Sequence, residues 1–363
     1  MRISVIHPKE LDSVQIAAWH AMQDQTAALA NPFLCPEFAI AVGTFRPSAR
    51  VAVLEDGGEL AGFFPFERRR LGVGMPIGAG LTDCQGLVHS AGVDWDPKEL
   101  LKACGISVWH FDHLVAGQQP FTPYQSASAA SPLIDLADGF PAYSGQLRAR
   151  SPQFSRDLAR KGRKLGREAG DLRFVLDSAD ISGLRALMAW KSDQYRRTGR
   201  SDRFSRPWVV DLVEHLLSCR QNGFSGTLSM LYAGDEPVAG HFGVRYGGTL
   251  ADWFPAYDLN FGKYSPGLTL VLRMAEEFAA VGGRSIDLGK GSKRYKEQLK
   301  SYDLAVAEGT VSGRSVLAAA HKGGRAPGRW AVRHIRQHQG LFGVADGALK
   351  RYGRVRGALK SAP

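Results

Sequence analysis

One pattern constrains this 363-residue chain more than any other: the same succession of elements occurs twice. In RVAVLEDGGELAGFFPFERRR (residues 50–70), an apolar run, a D-G-G turn and a second apolar run read as a hairpin. GTLSMLYAGDEPVAGHFGVRYGGTLADWFPAYD (226–258) repeats the idea, with turns at Gly234-Asp235 and Gly247-Gly248. Each passage follows an amphipathic helical stretch, at 9–30 and 180–220. Each precedes a helix and a short apolar strand, ISVWHFDHL (106–114) in the first case and SIDLGKG (285–291) in the second. Approximate internal duplication accounts for this order; two unrelated α+β domains are the alternative. The length agrees with two units, since single cores stop growing at about 250–300 residues.

The divisions expected are a first half over 1–145, a basic linker helix over 146–175, a second half over 176–318 and a basic tail over 319–363. Residues 118–132, rich in Ser, Ala and Pro, read as a loop. SPQFSRDLARKGRKLGREAG (151–170) reads as a helix, with Ser151 and Pro152 at its start and Gly170 as its stop. Charge is unevenly placed. The last 43 residues carry ten Lys/Arg against one acid, and Arg148 to Arg173 carry nine against three. The remainder is mildly acidic, so the net +11 gives little reason to expect nucleic-acid binding by the folded core. In the tail, Trp330, Ile335, Leu341 and Phe342 interleave with Arg and His. That permits peripheral contact with anionic lipid or a biosynthetic complex, a solubilising tail being the plainer reading. The start lacks the apolar run of a secretory signal, and no 18-residue apolar run occurs. Four scattered cysteines show neither a disulfide framework nor a metal-ligand spacing. A reduced, cytoplasmic setting without a metal is the expectation.

Chemistry concentrates between residues 249 and 299. TLADWFPAYD (249–258) reads as a strand, LNFGKYSPG (259–267) as a loop, and LTLVLRMAEEFAAV (268–281) as a helix stopped by Gly282-Gly283. At such a joint, unpaired backbone N–H groups and the helix dipole favour an anion. Lys263, Tyr264, Ser265, Pro266, Gly267 and Leu268 are therefore candidates for holding a pyrophosphate. SIDLGKGSKRYKEQL then places Asp287 at a strand end, before Gly289, Gly291, Lys293, Arg294, Tyr295 and Lys296. Strand ends of open α/β sheets are common ligand sites. The plainer alternatives are that Asp287 caps the following segment or pairs with Lys296, and that Lys293 and Arg294 face solvent. GAGLTDCQGLV (78–88) offers Asp83 and Gln85 as acceptor contacts, and Trp253 and Tyr257 line the same cleft unless they are core. His241 lies within a strand pattern, where a structural role competes with a catalytic one.

Residues 180–303 resemble the second domain of the CelD-like (cellulose-biosynthesis) GNAT acetyltransferase family, which is related to the FemAB peptidyltransferases. The matching features are the turn and strand from Gly234 to Phe242, the YSPG-L run from Tyr264 to Leu268, and the spacing from Asp287 to Tyr295-Lys296. NPFLCPEF (31–38) resembles the family's opening, so the likeness extends to about residue 310. It implies an α/β (α+β) fold of two tandem GNAT-like domains, each a mixed twisted sheet flanked by helices. It also implies acetyl-CoA as co-substrate, bound by the second half only. Transfer would go directly to an amine or hydroxyl of a small-molecule or sugar precursor of the cell envelope or an exopolysaccharide. Asp287 or His241 would serve as base, Tyr264 or Tyr295 would assist the leaving thiolate, and Lys296 would stabilise the developing oxyanion. Where the family commonly has a tryptophan after the Tyr-Lys pair, this chain has Leu299. Fem-like transfer from aminoacyl-tRNA and a non-catalytic assembly surface are the rival readings.

Overall fold

The computed structural model describes residues 1–313 except Ala27, Ala79 and Ala116. The basic tail, with the lipid or partner contacts expected of it, lies outside the described residues. The first half runs β1 (Arg2–Ile6), α1 (Ser13–Asp24), α2 (Pro36–Phe45), β2 (Ala49–Asp56), β3 (Glu59–Arg69), β4 (Val73–Pro76), β5 (Val88–His89), α3 (Pro97–Ala103), β6 (Val108–Val115) and β7 (Gln125–Asp135). Two helices follow, α4 (Gly139–Arg150) and α5 (Pro152–Ala169). The second half runs β8 (Leu172–Val175), α6 (Ile181–Arg197), α7 (Pro207–Ser218), β9 (Arg220–Gln221), β10 (Phe224–Ala233), β11 (Glu236–Tyr246), β12 (Thr249–Tyr257), α8 (Pro266–Ala280), β13 (Ser285–Asp287), α9 (Arg294–Leu299) and β14 (Tyr302–Ser312).

The duplication is visible strand by strand. β1 to β4 form an antiparallel meander, and β6 then adds parallel to β4 after α3. β8, β10, β11 and β12 repeat the meander, and β13 adds parallel to β12 after α8. Gly57-Gly58 closes one hairpin and Gly247-Gly248 another, all four residues at positive φ. A tight turn that follows the strand twist requires that conformation. In β10, nine of ten residues are buried, because the strand is covered on both faces. Such strands read as continuous apolar runs.

The two halves exchange their last strands. β7 follows β6 in sequence but pairs with β13, and β14 follows β13 but pairs with β6. β7 and β14 also pair antiparallel with each other, so the order runs β1-β2-β3-β4-β6-β14-β7-β13-β12-β11-β10-β8 in one sheet. Here the loop expected at 118–132 is corrected. Gln119–Tyr124 is a 3-10 turn, and β7 begins at Gln125. Ser and Ala have little β preference of their own, but pairing along both edges overrides it. The helix expected at 151–170 is α5, with Pro152 at its first turn and Gly170 at φ 107 beyond its end. Leu158, Gly162 and Leu165 are buried, whereas Arg156, Arg160, Arg163 and Arg167 are exposed. Among the described residues, no helix is long and apolar enough to cross a membrane.

Gly309 lies at the irregularity where β14 passes from β7 to β6, and a Cβ there would overlap the Tyr124 carbonyl oxygen and the Phe111 ring. Gly309→Ala is expected to cost about 3 kcal/mol through overpacking. Because the halves share one sheet, urea unfolding followed by tryptophan fluorescence should show a single transition, displaced as a whole in the variant. Separate transitions for the halves would contradict this account of the fold.

Candidate functional site

β12 and β13 pair only over Thr249–Ala251 and Ser285–Asp287, yet β12 runs on to Tyr257. A bulge against β11 falls between Asp252 and Phe254 and leaves Trp253 out of register. Bulges bend a strand and redirect its side chains. Where the strands part, a cleft of about 1060 Å³ opens, lined by α6, β12, the segment from Leu288 to Lys296, and Gly80 to Asp83 of the first half.

There the chain brings Asp83 of the first half beside Gly289 and Lys296 of the second. A methyl group at Gly289 would sit 3.1 Å from Asp83 Oδ2 and 3.7 Å from Lys296 Nζ. Asp287 holds this turn: its Oδ1 accepts from the Gly289 amide (2.9 Å) and from Ser131 Oγ of β7 (2.7 Å). Lys296 donates to the Gly289 carbonyl at 2.7 Å and the Lys290 carbonyl at 3.3 Å. Lys296 therefore reaches the loop backbone, and no Asp287–Lys296 ion pair forms among the described residues. Gly289 adopts φ 74, which suits the residue at this tight turn.

Burial shifts the cleft's titrating groups toward neutrality. Desolvation raises Asp83 to about 6 against the pull of the His113 charge, and the nearby Asp287 adds to the rise. Burial lowers Lys191 to about 8, although Asp252 opposes it; its ammonium donates to the Pro255 carbonyl at 2.7 Å. Burial also lowers Lys296 and raises the Tyr295 phenol and the Asp287 carboxyl. An acid and an amine that titrate either side of neutrality are suited to proton transfer.

His241 does not line the cleft. It is buried behind Asp252, with Nε2 3.1 Å from Asp252 Oδ1. The two lie at ion-pair distance without hydrogen-bond alignment. Neither ring nitrogen and neither Asp252 oxygen has a hydrogen-bond partner among the described residues. Of the expected acceptor contacts, Asp83 and Trp253 line the cleft. The Trp253 ring packs on Phe33 and Phe38 of the first half, and its Nε1 donates to the Leu81 carbonyl at 2.8 Å, so it also bridges the halves. Gln85 is not in the cleft. It is buried, donating to Asp112 Oδ1 and accepting from the amides of Asp112 and His113. Tyr257 lies outside as well, its ring against Gly262 and Gly267.

The 263–268 segment also stands apart from the cleft lining. Ser265 takes a left-handed conformation (φ 56, ψ 50), Pro266 opens α8, and no side chain caps the helix start. Lys161 of α5 donates to Ser265 Oγ at 2.9 Å, and the Tyr264 hydroxyl donates to Glu168 at 2.5 Å. Lys263 is exposed, 3.9 Å from Glu168. Leu268 is half-buried in the first turn of α8.

Lys191 and Asp252 escaped the sequence reading, although both left a trace. Lys191 follows Leu184, Leu187 and Met188 at core-facing helical spacing, and Asp252 interrupts an apolar strand between Ala251 and Trp253. An ionisable residue in a core position costs free energy unless paired or used. Arg200 and Arg203, in the connection after α6, left no comparable signal.

The arrangement is a mixed α/β, GNAT-like fold with a large mixed sheet flanked by helices. Residues 152–297, which begin at α5, match the family described as acetyltransferase (GNAT) domain. No curated protein matches the chain. Among solved structures, FemX is similar with a TM-score of 0.55 and 10% identity, covering 85% of this chain and 96% of that one. The C-terminal domain of a putative lysylphosphatidylglycerol synthetase from Agrobacterium fabrum is similar at TM-score 0.52 and 11% identity, covering 84% and 95%. A conserved protein of unknown function from Bacteroides thetaiotaomicron gives 0.53 and 11%, covering 86% and 100%. At such identities the likeness is one of fold.

Asp83 supplies a test of the cleft's electrostatics. Its folded value lies above the ordinary 3.8, so the folded chain holds this proton longer than the unfolded chain. Stability should therefore fall as pH rises from about 4 to about 6. The side chain is 32% exposed, and solvent screens part of the effect. Asp83→Asn is expected to gain on the order of 1 kcal/mol at pH 7 and to flatten that slope. Urea midpoints at pH 4, 5, 6 and 7 would show it; an unchanged slope would exclude the raised carboxyl.

Proposed function

We propose that this chain transfers an acyl group, acetyl in the simplest case, from a CoA thioester to an acceptor amine or hydroxyl held in the cleft. The acceptor class expected is a precursor of the cell envelope or an exopolysaccharide. The observation that carries the reading is the parting of β12 and β13 at Asp252 and Asp287, with near-neutral acid and base groups gathered where they separate. The GNAT-domain match over 152–297 supports it.

The residues at the start of α8 suit the diphosphate of such a donor. The helix end has no side-chain cap, the Gly267 amide is in its first turn, and Lys161 and Lys263 supply positive charge beside it. When bound, the thioester supplies an activated acyl carbon and a sulfur leaving group that takes up a proton. The protein's own contribution is positioning and proton handling. In this reading Asp83 removes the acceptor proton, because Asp287 Oδ1 is already engaged by Ser131 and Gly289, and His241 is shielded from the cleft. Lys296, fixed by the Gly289 carbonyl, stabilises negative charge developing on the acyl oxygen. Tyr295 lines the cleft with its phenol kept protonated by burial, and it can donate that proton to the departing sulfur. Asp287 acts through the loop that it holds, and is a positioning residue.

One observation favours a second donor. The side chains of Tyr264 and Ser265 are already engaged by Glu168 and Lys161 of α5. The Fem-like alternative, with the acyl group taken from aminoacyl-tRNA, is the reading that this would support.

Calorimetric titration of acetyl-CoA into the full chain separates the two. Micromolar binding is expected, weakened at least tenfold by Gly267→Asp, which sets an anion where the phosphates rest. If the folded wild type binds no acetyl-CoA but does bind aminoacyl-tRNA, the second reading replaces the first. Once an acceptor is in hand, Asp83→Asn should lower kcat by about 10²–10⁴-fold and abolish the acid limb near pH 6. A variant that keeps both the rate and the pH limb would remove Asp83 from the chemistry.

A further inference from the structure

Six cations line the cleft against two carboxylates, Asp83 and Asp252. Three of the six are engaged: Lys191 by the Pro255 carbonyl, Lys290 by Glu308, and Lys296 by the Gly289 carbonyl. Among the described residues, the side chains of the other three, Arg200, Arg203 and Lys293, have no hydrogen bond or ion pair. Partners exist close by. Arg196 and Arg197, at the end of α6, both meet Asp193, and Arg196 also reaches Asp202. The three cleft cations stand outside that pairing.

The segment presenting the arginines is well held. Gly199 turns the chain at φ 67, and the Arg200 amide returns to the Tyr195 carbonyl at 2.9 Å. Asp202 Oδ1 accepts from Ser192 Oγ at 3.1 Å and from the Phe204 amide at 3.0 Å. Lys293 comes from a separate element, as the residue before α9. Burial, then the charges of Arg200 and Lys296, hold its ammonium below the ordinary range. Six cations against two carboxylates leave an excess of like charge that repels itself, and a bound anion would relieve that cost.

We propose that the acceptor carries a phosphate or diphosphate, gripped by Arg200, Arg203 and Lys293, while its amine or hydroxyl lies at Asp83. A carboxylate has a single charge and would leave most of this cluster uncompensated. A diphosphate has both the charge and the oxygens for two guanidinium forks and an ammonium. The word acceptor rests on the transferase reading, whereas the anion site itself does not. The phosphates of the CoA donor belong at the start of α8 and should not compete for these side chains.

Inorganic pyrophosphate, titrated calorimetrically into the full chain, is the probe. With the start of α8 saturated by CoA, binding to one remaining site is expected, weakened about tenfold or more by either Arg200→Ala or Arg203→Ala and by more in the double variant. Lys293→Gln should weaken it less, and Arg160→Ala on the exposed face of α5 should leave it unchanged. Acetate at equal concentration should not bind, and CoA should bind together with pyrophosphate. Circular dichroism and melting would establish that each variant is folded. Pyrophosphate affinity indifferent to both arginines would overturn the proposal. So would one-for-one displacement by CoA, which would assign the cations to the donor and leave the transferase reading intact. If CoA does not bind while pyrophosphate still depends on the arginines, the transferase reading fails and the anion site stands.

Discussion

Everything distinctive in this structure depends on the pairing of β7 with β14. Without it, β14 beside β6 and β7 beside β13 would each end a separate sheet as an edge strand with unpaired N–H and C=O groups. Exchange of the last strands covers both edges and joins the halves into one sheet. The same exchange assembles the site. Ser131 lies on β7, and only because β7 crosses to β13 does its hydroxyl reach Asp287. Trp253 locks the other contact, with its indole among first-half phenylalanines and its N–H on the Leu81 carbonyl. Gly80 to Asp83 thereby form one wall of a cleft whose remaining walls belong to the second half.

Burial then determines the chemistry of that cleft. A carboxylate and an ammonium in solution are several pH units from exchanging protons near neutrality. Desolvation moves Asp83 up to about 6 and Lys191 down to about 8, which brings both into the working range. Asp252 and His241, close but misaligned, add a buried polar pair without hydrogen-bond partners among the described residues. Such pairs raise the energy of the folded state and are common where a site is arranged for function. Toward the solvent the balance reverses, with Arg200, Arg203 and Lys293 making the rim positive.

Much of this was legible residue by residue. Gly57-Gly58 and Gly247-Gly248 announced their hairpins because only glycine takes two successive positive φ values cheaply. Pro152 and Pro266 marked helix starts because proline lacks the N–H that a first turn leaves unpaired. Asp287, Tyr295 and Lys296 were singled out at a strand end and Asp83 in a Gly-rich segment; Asp83, Tyr295 and Lys296 line the cleft, whereas Asp287 holds the Gly289 turn. Gln85 illustrates the limit: its surroundings in sequence resemble those of Asp83, yet its amide is consumed by Asp112 and His113.

By itself, the sequence determined most local elements, β7 excepted, and their doubled order, because turn sterics, helix starts and apolar periodicity act over a few neighbouring residues. Only the tertiary structure decided the strand exchange and the membership of the cleft. Those depend on contacts such as Ser131 with Asp287 and Trp253 with Leu81, separated by 156 and 172 residues. A side chain's role there follows from what burial and pairing leave unsatisfied, and neither can be known until the two halves meet.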